Sequence, residues 1–296
     1  MEHVIETNNL TKQWGDLIAV NDLTLTVGTG ECYAFLGRNG SGKSTTARLL
    51  LDFIRPTRGS SRILGGSGAD PAVRRRVGYL PGDLRLPRSM TGRDAFRYFG
   101  ALGRGLDKAQ VDSLCQRFLL NPERPFRDLS TGNRRKVGLV LAFMNDPEVL
   151  ILDEPTSGLD PVLQEEFRDL LAERKQAGAT IWMSSHIMAE VERVADRVGL
   201  IDEGRLALEM SMDELRRRTG GELVFTFAAP TSPEPFASLP GVIAAVADGC
   251  DVTVGVDGSA ASVLRTAGEL GALAVRTEQR DLDDVFVELY QGAGRA

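Results

Sequence analysis

Apolar and polar residues alternate over Val4–Leu10 and Leu23–Val27, the period of half-buried strands. Gly28-Thr29-Gly30 then turns the chain into Glu31–Leu36, a short apolar run of the kind a buried strand needs. Thr45–Leu51 continues as a helix. Further buried-strand runs follow at Val77–Pro81, Val149–Leu152, Thr180–Ser184 and Val198–Ile201. Val162–Ala177 is predicted to be helical, opened by Asp160-Pro161 and stopped at Gly178. Leu64–Pro71 is a loop dense in turn residues, and Met90–Asp146 has a helical pattern broken by glycines and by Asn121–Pro125. Strand and helix in alternation predict an α/β fold with a mostly parallel sheet. It carries an N-terminal antiparallel β part and a helical insertion over about 83–146.

The texture changes after Arg218-Thr-Gly-Gly221. Strand patterns at Glu222–Phe227, Val242–Ala247 and Val252–Val256 are separated by the proline-rich Ala228–Pro235, and Leu282, Val285, Phe286 and Leu289 recur on one helical face. We therefore expect a main domain over 1–220 and a small α/β module over 221–296. A net charge of −6 argues against a nucleic-acid partner, since such proteins carry a basic surface. The clusters Arg74–Arg76 and Arg216–Arg218 read as solvated faces. Cys32, Cys115 and Cys250 lack metal-ligand spacing and are expected to be reduced and mostly buried. The opening Met1–Thr7 is acidic and has no apolar segment, so no secretory leader is expected. The longest apolar runs, such as Val137–Met144, fall far short of the about 20 residues a bilayer requires, which predicts a soluble chain.

Candidate chemistry concentrates at Gly37-Arg38-Asn39-Gly40-Ser41-Gly42-Lys43-Ser44, a complete G-x-x-x-x-G-K-[ST] phosphate loop. Its glycines allow a tight turn that aims successive N–H groups at phosphate oxygens. Lys43 can reach the β- and γ-phosphates and the Ser44 hydroxyl can hold Mg²⁺. A strand before it and a helix from Thr45 after it place the loop at a helix N-terminus, where an anion is favoured. A nucleoside triphosphate is the expected ligand. Val149–Leu152 delivers a pair of carboxylates, Asp153 and Glu154. Asp153 suits support of Mg²⁺, and Glu154 suits orienting or deprotonating an attacking water. A second anion site is expected where Ser130 and Gly132 stand at the start of the helical run Asn133–Ala142, although Ser130 taken alone reads more readily as a helix N-cap.

Taken in order, this set resembles the nucleotide-binding subunit of ATP-binding-cassette transporters over residues 1 to about 215. Leu129–Asn133 resembles the family's signature sequence, and Ser157-Gly-Leu-Asp160 the loop through which its two subunits communicate. His186, after Thr180–Met183, resembles the switch histidine that contacts the γ-phosphate, and Trp14 stands where the family places an aromatic that stacks on adenine. The resemblance implies that ATP and Mg²⁺ are bound between the phosphate loop of one subunit and the signature of another. One chain then makes two incomplete half-sites, which a homodimer, or a heterodimer with another such ATPase, completes. It also implies a separate transmembrane permease and a cytoplasmic location, peripheral on the membrane's cytoplasmic face. The single cassette with its C-terminal extension, which includes Asp281–Leu289, resembles bacterial exporters of the daunorubicin-resistance type, which implies a drug, antibiotic or lipid-like cargo.

Two positions depart from the family pattern. Gly82, followed by Asp83, stands where the family has a glutamine, and Asn133 replaces a glutamine in the signature. Asp83 could supply the missing oxygen, or Pro81-Gly82 could be a plain turn. The alternatives to an exporter are a soluble cassette protein acting on ribosomes or DNA and a regulatory ATP-binding module of low turnover.

Overall fold

The computed structural model describes residues 3–103, 105–219, 221–256 and 259–279. The apolar face expected at Leu282, Val285, Phe286 and Leu289 lies outside them. The chain divides into two compact units, Met1–Glu209 and Met210–Ala296.

The first unit opens with β1 (His3–Trp14), β2 (Leu17–Gly28), β3 (Cys32–Leu36), α1 (Lys43–Leu50), β4 (Arg58–Ile63), α2 (Pro71–Arg74) and β5 (Val77–Leu80). The helical insertion follows as α3 (Gly92–Leu102), α4 (Lys108–Arg117), a single 3₁₀ turn at Phe126–Asp128 and α5 (Thr131–Phe143). The core then resumes with β6 (Val149–Asp153), α6 (Pro161–Gln176), β7 (Thr180–Ser185), α7 (Met188–Val191), β8 (Arg197–Asp202) and β9 (Arg205–Ser211).

A six-stranded sheet, ordered β5-β6-β7-β3-β8-β9, has parallel pairing from β5 through β8. Every residue of β3, β6 and β7 is buried, which is why these strands appear in the sequence as unbroken apolar runs rather than alternations. Phe35 and Trp182 pack their rings 5.3 Å apart between neighbouring strands. Ala47, Leu49 and Leu50 of α1 join the same core.

The smaller sheet, ordered β2-β1-β4, is antiparallel, as expected for the N-terminal part. Both β1 and β2 run well past their alternating stretches. The pattern breaks because Asn9 (φ 46°) and Asp22 (φ 56°) bulge into the left-handed region and bond to each other, Asn9 Nδ2 donating to Asp22 Oδ1 at 2.8 Å. The strand β4 has almost no apolar residue and forms through its pairing with β1, so close at Gly59 that a Cβ would lie 2.2 Å from the Asn9 carbonyl.

The insertion keeps its expected break at Asn121–Pro125, and α6 keeps its expected start and stop. Other boundaries shift, among them the start of α5, which lies at Thr131 rather than Asn133. The helix after the phosphate loop begins at Lys43 rather than Thr45, and the loop ending at Pro71 opens into α2, capped by Asp70.

The second unit comprises α8 (Met212–Thr219), β10 (Gly221–Thr226), α9 (Glu234–Ala237), β11 (Val242–Asp248), β12 (Asp251–Val256), α10 (Ala261–Glu269) and β13 (Ala274–Gln279). Its antiparallel sheet, ordered β11-β12-β10-β13, packs Phe225 in a stack against Phe236 at 5.6 Å, with Val252, Val254 and Val263 around them. Cys32 and Cys115 are buried as expected, and burial raises their thiols to about 12 and about 11 respectively. Cys250 departs from that expectation: it is exposed on the turn between β11 and β12. Among the described residues, no helix is long and apolar enough to cross a membrane.

Candidate active site

The ends of β3, β6 and β7 lie side by side in the parallel sheet, so the loops leaving them meet at one edge. The phosphate loop leaves β3 at Gly37, whose amide donates to the Ser185 carbonyl of β7 at 3.2 Å. A Cβ at Gly37 would lie 2.5 Å from both the Ile201 carbonyl and Ser41 Oγ. At Gly42 it would lie 2.4 Å from the Ala19 carbonyl, and Gly42 also has a φ of 113°. Both glycines are therefore required for space, and Gly42 for conformation as well. Gly42 caps α1 without a side chain, which leaves the N–H groups of the first helical turn to face a ligand. Above them opens a cavity of about 220 Å³, lined by Asn39, Gly40, Gly42, Lys43, Ser44, Thr45, Ala19 and, from across the sheet edge, Glu154.

Lys43 is buried, and its Nζ donates to the carbonyls of Gly37 (2.6 Å) and Arg38 (3.1 Å). The same ammonium lies 3.1 Å from Glu154 Oε1, while Glu154 Oε2 lies 2.7 Å from His186 Nδ1. Lysine, glutamate and histidine thus form one line of polar contacts beside the cavity. Glu154 holds a left-handed backbone (φ 50°), unusual for a side chain of its size, and its amide donates to the Ser184 carbonyl (3.2 Å) and Ser184 Oγ (3.0 Å).

Asp153 is buried, and its Oδ1 accepts from Ser184 Oγ at 2.6 Å. Burial and the nearness of Asp153 push the Tyr79 hydroxyl up to about 12. A Cβ at Gly82 would meet Asp153 Oδ2 at 2.8 Å and Ser44 Oγ at 3.8 Å, so this carboxylate and hydroxyl converge on the same point. Asp83 does not turn toward them: its Oδ2 accepts from Arg85 Nε at 2.8 Å on the surface, and the chain bends at Gly82-Asp83. Asp83 thus does not supply the missing oxygen in this arrangement.

The remaining expected residues, Trp14, Ser130, Gly132 and Asp160, do not line the cavity. Ser130 caps α5, its Oγ accepting from the Asn133 amide at 3.3 Å, and Asp160 caps α6 by accepting from the Leu163 amide at 3.0 Å. Gly132 packs close enough to the communication loop that a Cβ would lie 2.9 Å from the Gly158 carbonyl. Trp14 is 46% exposed, with Lys12 Nζ 5.0 Å from its ring centroid. Arg38 is exposed on the loop and Ser41 is buried within it.

Sequence reasoning missed Arg135 and the double contact of Ser184. Arg135 is hidden in the run Asn133-Arg-Arg-Lys136, which resembles a solvated basic patch. A signal was nonetheless present: Arg135 shares a helical stripe with the buried Gly138, Leu139 and Ala142.

A glycine cradle, a buried lysine and paired carboxylates at the ends of parallel strands define a P-loop nucleotide hydrolase. Within that class, a family profile described as ABC transporter matches residues 20–157. The bacitracin transport ATP-binding protein BcrA of Enterococcus faecalis is 37% identical over 223 residues, covering 74% of this chain and 72% of that protein. The daunorubicin resistance ATP-binding protein DrrA3 of Streptomyces coeruleorubidus is 34% identical over 227 residues, again 74% and 72%. A solved ATP-binding subunit of an ABC transporter superposes with a TM-score of 0.66 at 31% identity, over 73% of this chain and 92% of that one. The chain belongs to the ABC transporter family, as an ATP-binding subunit with ATPase activity.

Proposed function

We propose that this chain powers an exporter by hydrolysing ATP at a site completed by a second ATP-binding subunit, in the simplest case another copy of itself. The observation that carries the reading is the contact line Lys43–Glu154–His186 beside the phosphate-loop cavity. The amides that line the cavity, those of Gly40 and of Gly42 to Thr45, and the Lys43 ammonium receive the triphosphate. Glu154 takes the proton of the attacking water, and His186, already bonded to that carboxylate, fixes its direction beside the γ-phosphate. Trp14, half-exposed near the end of β1, receives the adenine.

Ser44 and Asp153 suit Mg²⁺, being hard oxygen donors that converge at Gly82. Among the described residues no group of three or more His, Cys, Asp or Glu is placed to hold a metal, so Ser44 and Asp153 would hold the ion together with the bound nucleotide. The ion supplies positive charge that neutralises the phosphate oxygens.

Ser130 and Gly132 at the start of α5 and Asp160 in the communication loop lie outside this cavity, which supports their working on a partner's nucleotide. A cassette solved as a dimer in a post-hydrolysis state with ADP and Pi shares the fold at a TM-score of 0.64 and 20% identity. The ATPase domain is then expected over 1–220 and an accessory module over 221–296, while the compact units divide earlier, after Glu209, which puts α8 with the accessory module. The chain works at the cytoplasmic face of the membrane, against a permease carried on a separate chain, and the bacitracin and daunorubicin relatives point to a drug or antibiotic as cargo. Glu154→Gln tests the reading. Turnover should fall about 100-fold or more while ATP binding persists and a dimer accumulates; unchanged turnover would reject Glu154 as the base.

A further inference from the structure

We infer that Arg135 is the positioning residue that fixes the backbone of Glu154, and that through it α5 controls the aim of the hydrolytic carboxylate. The inference rests on the hydrolytic reading of Glu154. Arg135 is 7% exposed, and its fork ends on main-chain carbonyls. Nη2 donates to Glu154 O at 2.7 Å, Nη1 to Pro81 O at 2.7 Å and Asp153 O at 3.4 Å, and Nε to Ser157 O at 3.3 Å. Burial lowers the pKa of the guanidinium, so its placement carries a desolvation cost that an apolar side chain in the same space would not incur. What the guanidinium supplies instead is a rigid set of donors that can serve several diverging carbonyls at once.

Those carbonyls belong to the segments that shape the site. Pro81 precedes Gly82, which approaches Asp153 and Ser44. Ser157 precedes Gly158, whose carbonyl packs against Gly132. Glu154 itself has a φ of 50°, and a side-chain-bearing residue stays in that region only when its surroundings fix it. Its N–H side is fixed by Ser184, through both the carbonyl and the hydroxyl. Its carbonyl side is fixed by Arg135. Without the guanidinium, the peptide after Glu154 is free to rotate back to an ordinary conformation. The carboxylate would then leave its contacts with Lys43 and His186. Arg135 stands on the same helix that Ser130 caps, so a shift of α5 moves the group that holds Glu154. The half-site offered to a partner is thereby tied to the half-site that hydrolyses.

Arg135→Gln, Arg135→Lys and Glu154→Gln should be compared with the double variant Arg135→Gln/Glu154→Gln. We expect Arg135→Gln to lower kcat by about tenfold or more, with KM for ATP and the Kd of a fluorescent ATP analogue held within about twofold. Lysine should not rescue, because an ammonium cannot reproduce the fork. In the Glu154→Gln background, Arg135→Gln should cause no further loss of kcat, since one residue acts through the other. Multiplicative losses, a parallel collapse of KM and kcat, or wild-type kcat in Arg135→Gln would each overturn the assignment. Should Arg135→Gln fail to fold, Arg135→Lys carries the test, and wild-type kcat in that variant rejects the assignment. Unchanged turnover in Glu154→Gln itself would instead reject the underlying hydrolytic reading.

Discussion

Gly40 and Gly42 carry the same residue type in one loop but for different reasons. Both have positive φ, 85° and 113°, yet a Cβ at Gly40 meets nothing within 4 Å whereas one at Gly42 meets the Ala19 carbonyl at 2.4 Å. Gly40→Ala should therefore cost only backbone strain, about 1 kcal/mol, and weaken ATP binding modestly. Gly42→Ala must also move β2 or the loop, and should reduce affinity by more than about tenfold, a difference of at least about 1.4 kcal/mol in nucleotide titrations. Equal affinities for the two variants would contradict the crowding at Gly42. Gly82 behaves differently again. The sequence marks it only as a missing glutamine, while the structure gives it a steric role: any side chain there presses on Asp153 Oδ2, which is pinned through the partner oxygen by Ser184. Close approach between segments far apart in the chain has no local signature, so this was not legible in advance.

At the scale of elements, α3 begins with a capping box, Thr91 accepting from the Asp94 amide while the Asp94 carboxylate accepts from the Thr91 amide at 3.1 Å. The Thr91 hydroxyl and amide hold the Asp94 carboxyl below its ordinary range. A depressed carboxylate stabilises the fold above its unfolded pKa, and that contribution disappears as pH falls through its folded value. Thr91→Ala should cost about 1 kcal/mol near pH 7 by chemical denaturation, and the difference from wild type should narrow on acidification. A gap that widens at low pH would contradict the coupling.

The same scale shows what a hydrophobic pattern can carry. The strands β3, β6 and β7 were legible because burial on both faces demands unbroken apolar runs. The outer parts of β1 and β2 were hidden by the bulge at Asn9 and Asp22, which breaks the two-residue period. The polar β4 was hidden entirely, since main-chain pairing to β1 is all that defines it. The site followed the same rule. Lys43, Ser44, Asp153, Glu154 and His186 announce themselves by motif, whereas Arg135 works through carbonyls, which every residue possesses.

For the whole molecule, the placement of Ser130 outside the cavity makes assembly a measurable requirement. Ser130→Arg should leave ATP binding to the monomer unaltered and abolish turnover that rises with protein concentration; cooperative turnover surviving in that variant rules out the shared site. The division into Met1–Glu209 and Met210–Ala296 suggests a second test. Removing 222–296 should keep nucleotide affinity within about threefold, and loss of binding would mean that residues 1–221 do not stand alone. Cys250 adds a practical consequence. It is the exposed thiol of a chain whose other two, Cys32 and Cys115, are buried and raised to about 12 and about 11. A maleimide dye near neutral pH should couple once per native chain, at Cys250. The second and third adducts, counted by mass, would then time the opening of the two buried sites in the first unit, so the protein carries its own unfolding clock without an engineered cysteine.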